Sequence, residues 1–103
     1  MINSNMLLAR IKQLRNELNV QQRQIAYAIG VDEPMYSRIE RGIRPFRDEY
    51  IAPIADILHV KEEELRSLWT ADKIINVTKD EPLLVAQRAL RLANSEIRTN
   101  LHE

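Results

Sequence analysis

Four arginines, Arg38, Arg41, Arg44 and Arg47, stand at steps of three residues in a 103-residue chain. A guanidinium is a planar fork of donors that matches the oxygens of a phosphate and the O6/N7 edge of guanine. Such a run therefore points to recognition of a polyanion rather than to bond-making chemistry. Steps of three across a helix end and its loop cannot put all four on one face, so some should reach an anion and the rest lie in solvent. The other chemistry-bearing groups lack partners at useful spacing. Glu62, Glu63 and Glu64 are consecutive carboxylates without a histidine or aspartate at a metal-ligand spacing, and they read as the acidic first turn of a helix. His59 and His102 have no partner constellation, cysteine is absent, and two glycines cannot make a phosphate-cradling loop. The pattern supports no enzyme, no cofactor and no metal site.

The arginines must be positioned by QRQIAYAIGVDEPMYSRIERG, residues 22–42, which reads as two short helices, about 22–29 and 33–41, joined by a tight turn. Ala26 falls where the helices would cross, and its small side chain lets the backbones approach. Gly30 falls where the turn needs a positive φ. Asp32 stands where its carboxylate can accept from the free N–H groups of the second helix, and Pro34 fits the first turn, where its missing N–H has no partner to lose. Ile25, Ile29, Val31, Tyr36 and Ile39 close the pair over a core. Before it, Leu7, Leu8, Ile11, Leu14 and Leu18 recur at helical spacing and predict a helix over about 5–18, capped by Ser4 or Asn5.

Four segments in order, RIKQLRNEL at 10–18, the Gln22 to Gly30 core, SRIERG at 37–42 and IADILHVKEEEL at 54–65, resemble the phage-repressor-like helix-turn-helix regulators of the Cro or XRE type. The resemblance covers about residues 8–68. It implies an all-α, five-helix DNA-binding domain whose helices 2 and 3 form the helix-turn-helix, with helix 3 reading double-stranded DNA. Gln22 and the arginines Arg23, Arg41, Arg44 and Arg47 are then the expected phosphate contacts, and Glu33, Met35, Tyr36, Ser37 and Arg38 the base contacts, with Arg38 the candidate for guanine. Arg15 is expected to pair with Glu40, fixing helix 1 to the end of helix 3; with Ala26 and Gly30 this pair makes up the structural set. The chain departs from the family pattern at the entry to helix 3, where Asp32, Glu33 and Pro34 stand in positions that frequently carry Gln, Arg or Ser. Phage repressors, controllers of restriction-modification systems and antitoxins share the fold, and a protein-interaction module that has lost DNA is the reading from a different class.

Composition agrees only in its distribution. Fifteen basic and fifteen acidic residues cancel, but residues 1–51 hold eight basic side chains against six acidic ones. No stretch approaches the ~20 apolar residues of a membrane span, and the start carries no export signal, so a cytoplasmic protein is expected. Pro53 predicts that the fourth helix, about 48–58, is kinked or starts late. A fifth should begin near Lys61 and carry Leu65, Leu68, Trp69 and Ile75. Asp80 and Pro82 then suit the start of a last helix, as cap and early helical residue. The chain is thus divided at 77/78 into the DNA-binding domain, 1–77, and a helical extension, 78–103. Leu83, Ala86, Leu90, Ala93 and Ile97 follow heptad spacing and are expected to join a homodimer; the alternative is that this helix folds back over Leu65, Leu68 and Trp69.

Overall fold

Four of the helices stop in the same way. A residue in the left-handed region returns its N–H to the carbonyl three residues back, and the next residue returns its own to the carbonyl five back. The left-handed residues are Asn19 (φ 57°), Gly30 (φ 79°), Gly42 (φ 81°) and His59 (φ 57°). Their followers, Val20, Val31, Ile43 and Val60, reach back to Arg15, Ala26, Arg38 and Ala55 over 2.8 to 3.1 Å. The computed structural model describes residues 5–100, and among them these stops delimit α1 (Met6–Glu17), α2 (Gln22–Ile29), α3 (Glu33–Glu40) and α4 (Ile51–Ile57). Two longer helices follow, α5 (Glu62–Thr78) and α6 (Leu83–Asn100), and the described residues contain no strand. At Gly30 a Cβ would meet nothing within 4 Å, so glycine is required there by its backbone angle and not by space.

The starts differ more from expectation than the stops. Asp32 caps α3, accepting from the Met35 N–H at 2.8 Å, and Gln24 accepts from the Gln21 N–H at 2.7 Å ahead of α2. Asn5 makes no side-chain cap for α1, and Ser4 lies outside the described residues, as do His102 and the last residues of the tail. The cap comes instead from α5. Asp72, 8% exposed, accepts from the N–H groups of Met6 and Leu7 at 2.9 and 3.0 Å, one on each carboxylate oxygen. No local pattern could announce a cap 66 positions away. Pro53 acts by delaying its helix: residues 48–50 form a 3-10 turn, α4 proper begins at Ile51, and the proline sits in the first turn, where no intrahelical donor is lost. Pro82 accepts, through its carbonyl, the first hydrogen bond of α6, from the Ala86 N–H, and so stands just outside the helix rather than within it.

The core is built where these helices converge. Leu7, Ile11 and Leu14 of α1 meet Ile25 and Ala26 of α2, Tyr36 and Ile39 of α3, Ile51 and Ile54 of α4, and Leu65 of α5. Each fully buried aliphatic side chain contributes about 1.5–3 kcal/mol before the entropy of ordering the chain is set against it. Leu18, expected on the inner face, is 44% exposed just past the end of α1. Phe46 packs edge-on to Tyr50 (5.5 Å between centroids) and tilted against Trp69 (6.1 Å), while the Lys73 ammonium lies 3.3 Å from the Trp69 ring centre. This aromatic group pins the loop after α3 to the 3-10 turn before α4 and to α5.

α6 stands apart from this core. None of its residues is buried, so it does not cover Leu65, Leu68 or Trp69, whose inner contacts come from the domain itself. Of the expected seam, Leu83, Leu90 and Ile97 are each more than half exposed.

Asp72→Ala should cost about 1–2 kcal/mol in urea unfolding, the usual loss for a helix cap, and should speed amide exchange at Met6 and Leu7. An unchanged midpoint would show that the long-range cap is dispensable.

Candidate nucleic-acid interface

The inner half of the helix-turn-helix is organised by one carboxylate. Glu40, at the end of α3, has a side chain 4% exposed and receives four hydrogen bonds of 2.9 Å. Arg15 donates two of them in a fork, Nε to Oε2 and Nη2 to Oε1; Gln22 Nε2 donates to Oε1, and the Tyr36 hydroxyl to Oε2. The remaining reach of Arg15 goes to the Val20 carbonyl at 3.2 Å, beside the stop of α1. Burial works to raise the Glu40 carboxyl, but the hydrogen bonds from Arg15, Gln22 and Tyr36, aided by the arginine charge, outweigh it and hold the group below its ordinary value. Burial pushes the Tyr36 phenol up, and the neighbouring carboxylate adds to the effect, so the hydroxyl stays protonated and donates.

This inner network takes Tyr36 from the base-contact set and engages part of Gln22. Tyr36, expected at the bases, is 1% exposed and points inward; it is a core residue and cannot reach a groove from this position. The signal was present in the sequence, since Tyr36 and Glu40 stand four apart on one helix and so share a face. Gln22, expected on phosphate, is half-buried and has committed one amide N–H to Glu40. Ala26 is buried at the crossing of α2 and α3.

The outer face carries the rest. Glu33 and Arg38 are exposed, and Met35 and Ser37 half-buried, along α3. Beyond its end, Ile43, Arg44, Pro45 and Arg47 are exposed while Phe46 points inward to the aromatic group. The Arg38 carbonyl accepts from the N–H groups of both Ile43 and Arg44, at 2.9 and 3.3 Å, which folds the loop back on the helix end. Arg44 Nε lies 3.4 Å from the Met35 sulfur, and Arg41 Nε donates to the Ser37 carbonyl at 3.2 Å. Cations gathered at a helix C-terminus are favoured by the partial negative charge there.

Pairing divides the arginines of residues 5–77 into two sets, while Arg88, Arg91 and Arg98 of α6 are exposed and without an ion pair among the described residues. Arg10 is bound to Glu64 at 2.8 Å, Arg15 to Glu40, Arg66 to Asp48 and Glu62, and Arg47 loosely to Glu49 at 3.8 Å. Arg23, Arg38, Arg41 and Arg44 are exposed, and among the described residues none has a carboxylate within ion-pair distance. All four lie in the helix-turn-helix or the turn that follows it. The Asp32 carboxylate is engaged in its cap, which leaves Glu33 as the free acid at the entry of α3. No helix among the described residues is long and apolar enough to cross a membrane.

A half-exposed α3 held on a buried scaffold, with an unpaired cationic rim, defines a helix-turn-helix DNA-binding regulator. The helix-turn-helix family model matches residues 11–65, just over half of the chain, and the protein belongs to this family, the Cro or XRE type. No curated protein and no solved structure gives a match.

Because Glu40 is held below its ordinary value, an unfolded chain binds a proton there more readily than the folded one. The stability that the carboxylate supplies is therefore complete above about pH 5 and is lost as pH falls through its folded value, below the ordinary ~4.3. The difference in unfolding free energy between the native protein and Glu40→Gln should be constant above about pH 5 and shrink in more acid solution. A gap that does not vary with pH would mean that the charge of Glu40 contributes nothing. Glu40→Ala, which strands the Arg15 guanidinium, should cost about 3 kcal/mol.

Proposed function

We propose that the protein is a repressor-like transcriptional regulator that binds palindromic operator DNA as a homodimer in the cytoplasm. Each subunit lays α3 in the major groove. The observation that carries this reading is the segregation of the arginines, since those of the scaffold are paired with carboxylates and those of the helix-turn-helix rim are not. An unpaired surface arginine keeps its full charge for a phosphate or a base. In this reading Arg38 reads guanine from the exposed side of α3, with Glu33, Met35 and Ser37 lining the same groove; an acid at position 33 suits the amino group of cytosine. Arg23, Arg41, Arg44 and Arg47 contact phosphates and set the register, and Gln22 adds its second amide N–H.

A helix-turn-helix reads only a few base pairs, and two copies on half-sites one DNA turn apart supply the affinity that one lacks. The apolar seam of α6 is the surface assigned to that pairing. The cancelled net charge and the exposed Glu33 favour a second reading, a protein-interaction module that keeps the fold without DNA.

Selection of bound sequences from a random DNA pool should return an inverted repeat; a pool that never enriches would favour the protein-interaction module. On the selected site, Arg38→Ala should cost about 1–3 kcal/mol and relax preference at one base pair per half-site. Equal loss on every sequence would assign Arg38 to phosphate. Arg44→Ala should weaken all sequences alike and reduce the slope of log affinity against log salt by about one per subunit, and an unchanged slope would remove the loop from the interface.

A further inference from the structure

The last half of α5 and the inner side of α6 enclose an open groove of about 600 Å3, lined by Ile74, Val77, Ala86, Leu90, Ala93 and Ile97 among others. A helix of 18 residues is near the lower limit of what holds together alone in water, and α6 has no buried residue to support it. The order of side chains along it says what covers it. We infer that the groove is filled by a second copy of this chain, whose α6 runs antiparallel to the first, with a two-fold axis passing between residues 91 and 92. The inference deepens the two-fold part of the reading above and rests on it.

Positions 86, 90, 93 and 97 are symmetric about the midpoint between 91 and 92, and the symmetry exchanges small with large. In an antiparallel pair, Leu90 lies opposite Ala93 of the partner subunit, and Ala86 opposite Ile97 of the partner subunit. Each methyl thus receives a branched side chain, which is how facing layers fill space without a void. A parallel pair in register would instead set alanine on alanine at two levels and leave cavities there, and it would align the two helix dipoles and stack Arg88 on its own copy. The antiparallel pair brings Glu96 to within one residue of the level of Arg88 of the partner subunit. A self-complementary surface of this kind is what a two-fold contact requires, whereas a foreign helix has no need to match a sequence that reverses onto itself. Ile74 and Val77 then form the α5 wall on which the incoming helix rests.

The chain contains no cysteine, so introduced thiols report without background. Both test positions lie on a helix without buried residues, and the substitutions leave the domain core untouched. Oxidation of a mixture of full-length Ala86→Cys and Ile97→Cys proteins should give the mixed disulfide as the main product. Each variant alone should give almost none, because like positions would stand 11 residues, about 16 Å, apart along the helix, beyond the ~7 Å reach of a disulfide. Sedimentation of the unsubstituted protein should show a dimer. Ready cross-linking of Ala86→Cys to itself would establish a parallel pair and overturn the inference, and so would a dimer without the mixed disulfide or a monomer. DNA binding is read separately. A disulfide-linked pair that binds no DNA in the salt titration upholds the inference and overturns the operator reading; a dimer that binds DNA without the mixed disulfide does the reverse.

Discussion

A single buried carboxylate fixes the geometry on which everything else in this domain depends. Glu40 is the last residue of α3, and its four donors come from α1, α2 and α3 itself. Ridges and grooves of aliphatic side chains hold helices together but tolerate small slips, because dispersion contacts are many and individually weak. A buried charge does not tolerate them, since losing one directed bond leaves an unmet charge in a dry setting. The network need not be a large net source of stability, because removing the ions from water offsets most of their attraction. Its effect is to make one mutual arrangement of the three helices much better than its neighbours, and base reading depends on an arrangement fixed to a fraction of an ångström.

The same network explains how a chain without net charge presents a cationic surface. Fifteen acids neutralise fifteen bases on average, but the neutralisation is local. Acids on α5 and the 3-10 turn are matched to Arg10 and Arg66, Glu40 is matched to Arg15, and Asp32 and Asp72 are turned toward helix N-termini. Within residues 5–77, the arginines left over are those on the outer side of α2, α3 and the following turn; Arg88, Arg91 and Arg98 of α6 are left over as well. Phe46 contributes from beneath. Its ring is held between Tyr50 and Trp69, so the arginines on either side of it are directed away from the core.

What was legible in the sequence follows from the range of the interaction responsible. The span of α2 and the entry of α3 were readable because Gly30 and Asp32 act within a few residues of themselves, through a positive φ and a local hydrogen bond. The pairing of Arg15 with Glu40 was expected from the family resemblance, and the structure holds it in a forked geometry that spacing alone could not specify. Pro53 signalled a disturbance but left open its kind, and the late start of α4 is decided by where the 3-10 turn ends. Asp72 was illegible because its partners are the free N–H groups of a helix near the other end of the chain. Tyr36 was counted both with the core and with the base contacts because a tyrosine on a recognition helix suits either, and its burial against the carboxylate four residues on decides for the core.

The position of α6 connects these local facts to the proposed function. α5 begins packed beside α1 and α4, where Glu64 meets Arg10 and Leu65 enters the core, and it runs for 17 residues, about 26 Å, before the turn into α6. Its first half belongs to the DNA-binding domain, and its second half forms a wall of the groove. One continuous helix therefore runs from the scaffold of α3 to the groove, and the turn at residues 79–82 joins it to the seam on α6. In the proposed two-fold dimer, the separation of the two α3 helices depends on this rod and on that turn. The requirement that half-sites lie about 34 Å apart then becomes a constraint on α5 and the turn. The Asp72 carboxylate sits near the middle of that rod and grips the first turn of α1, so the same residue that caps the domain also fixes the direction in which the second half of α5 leaves it.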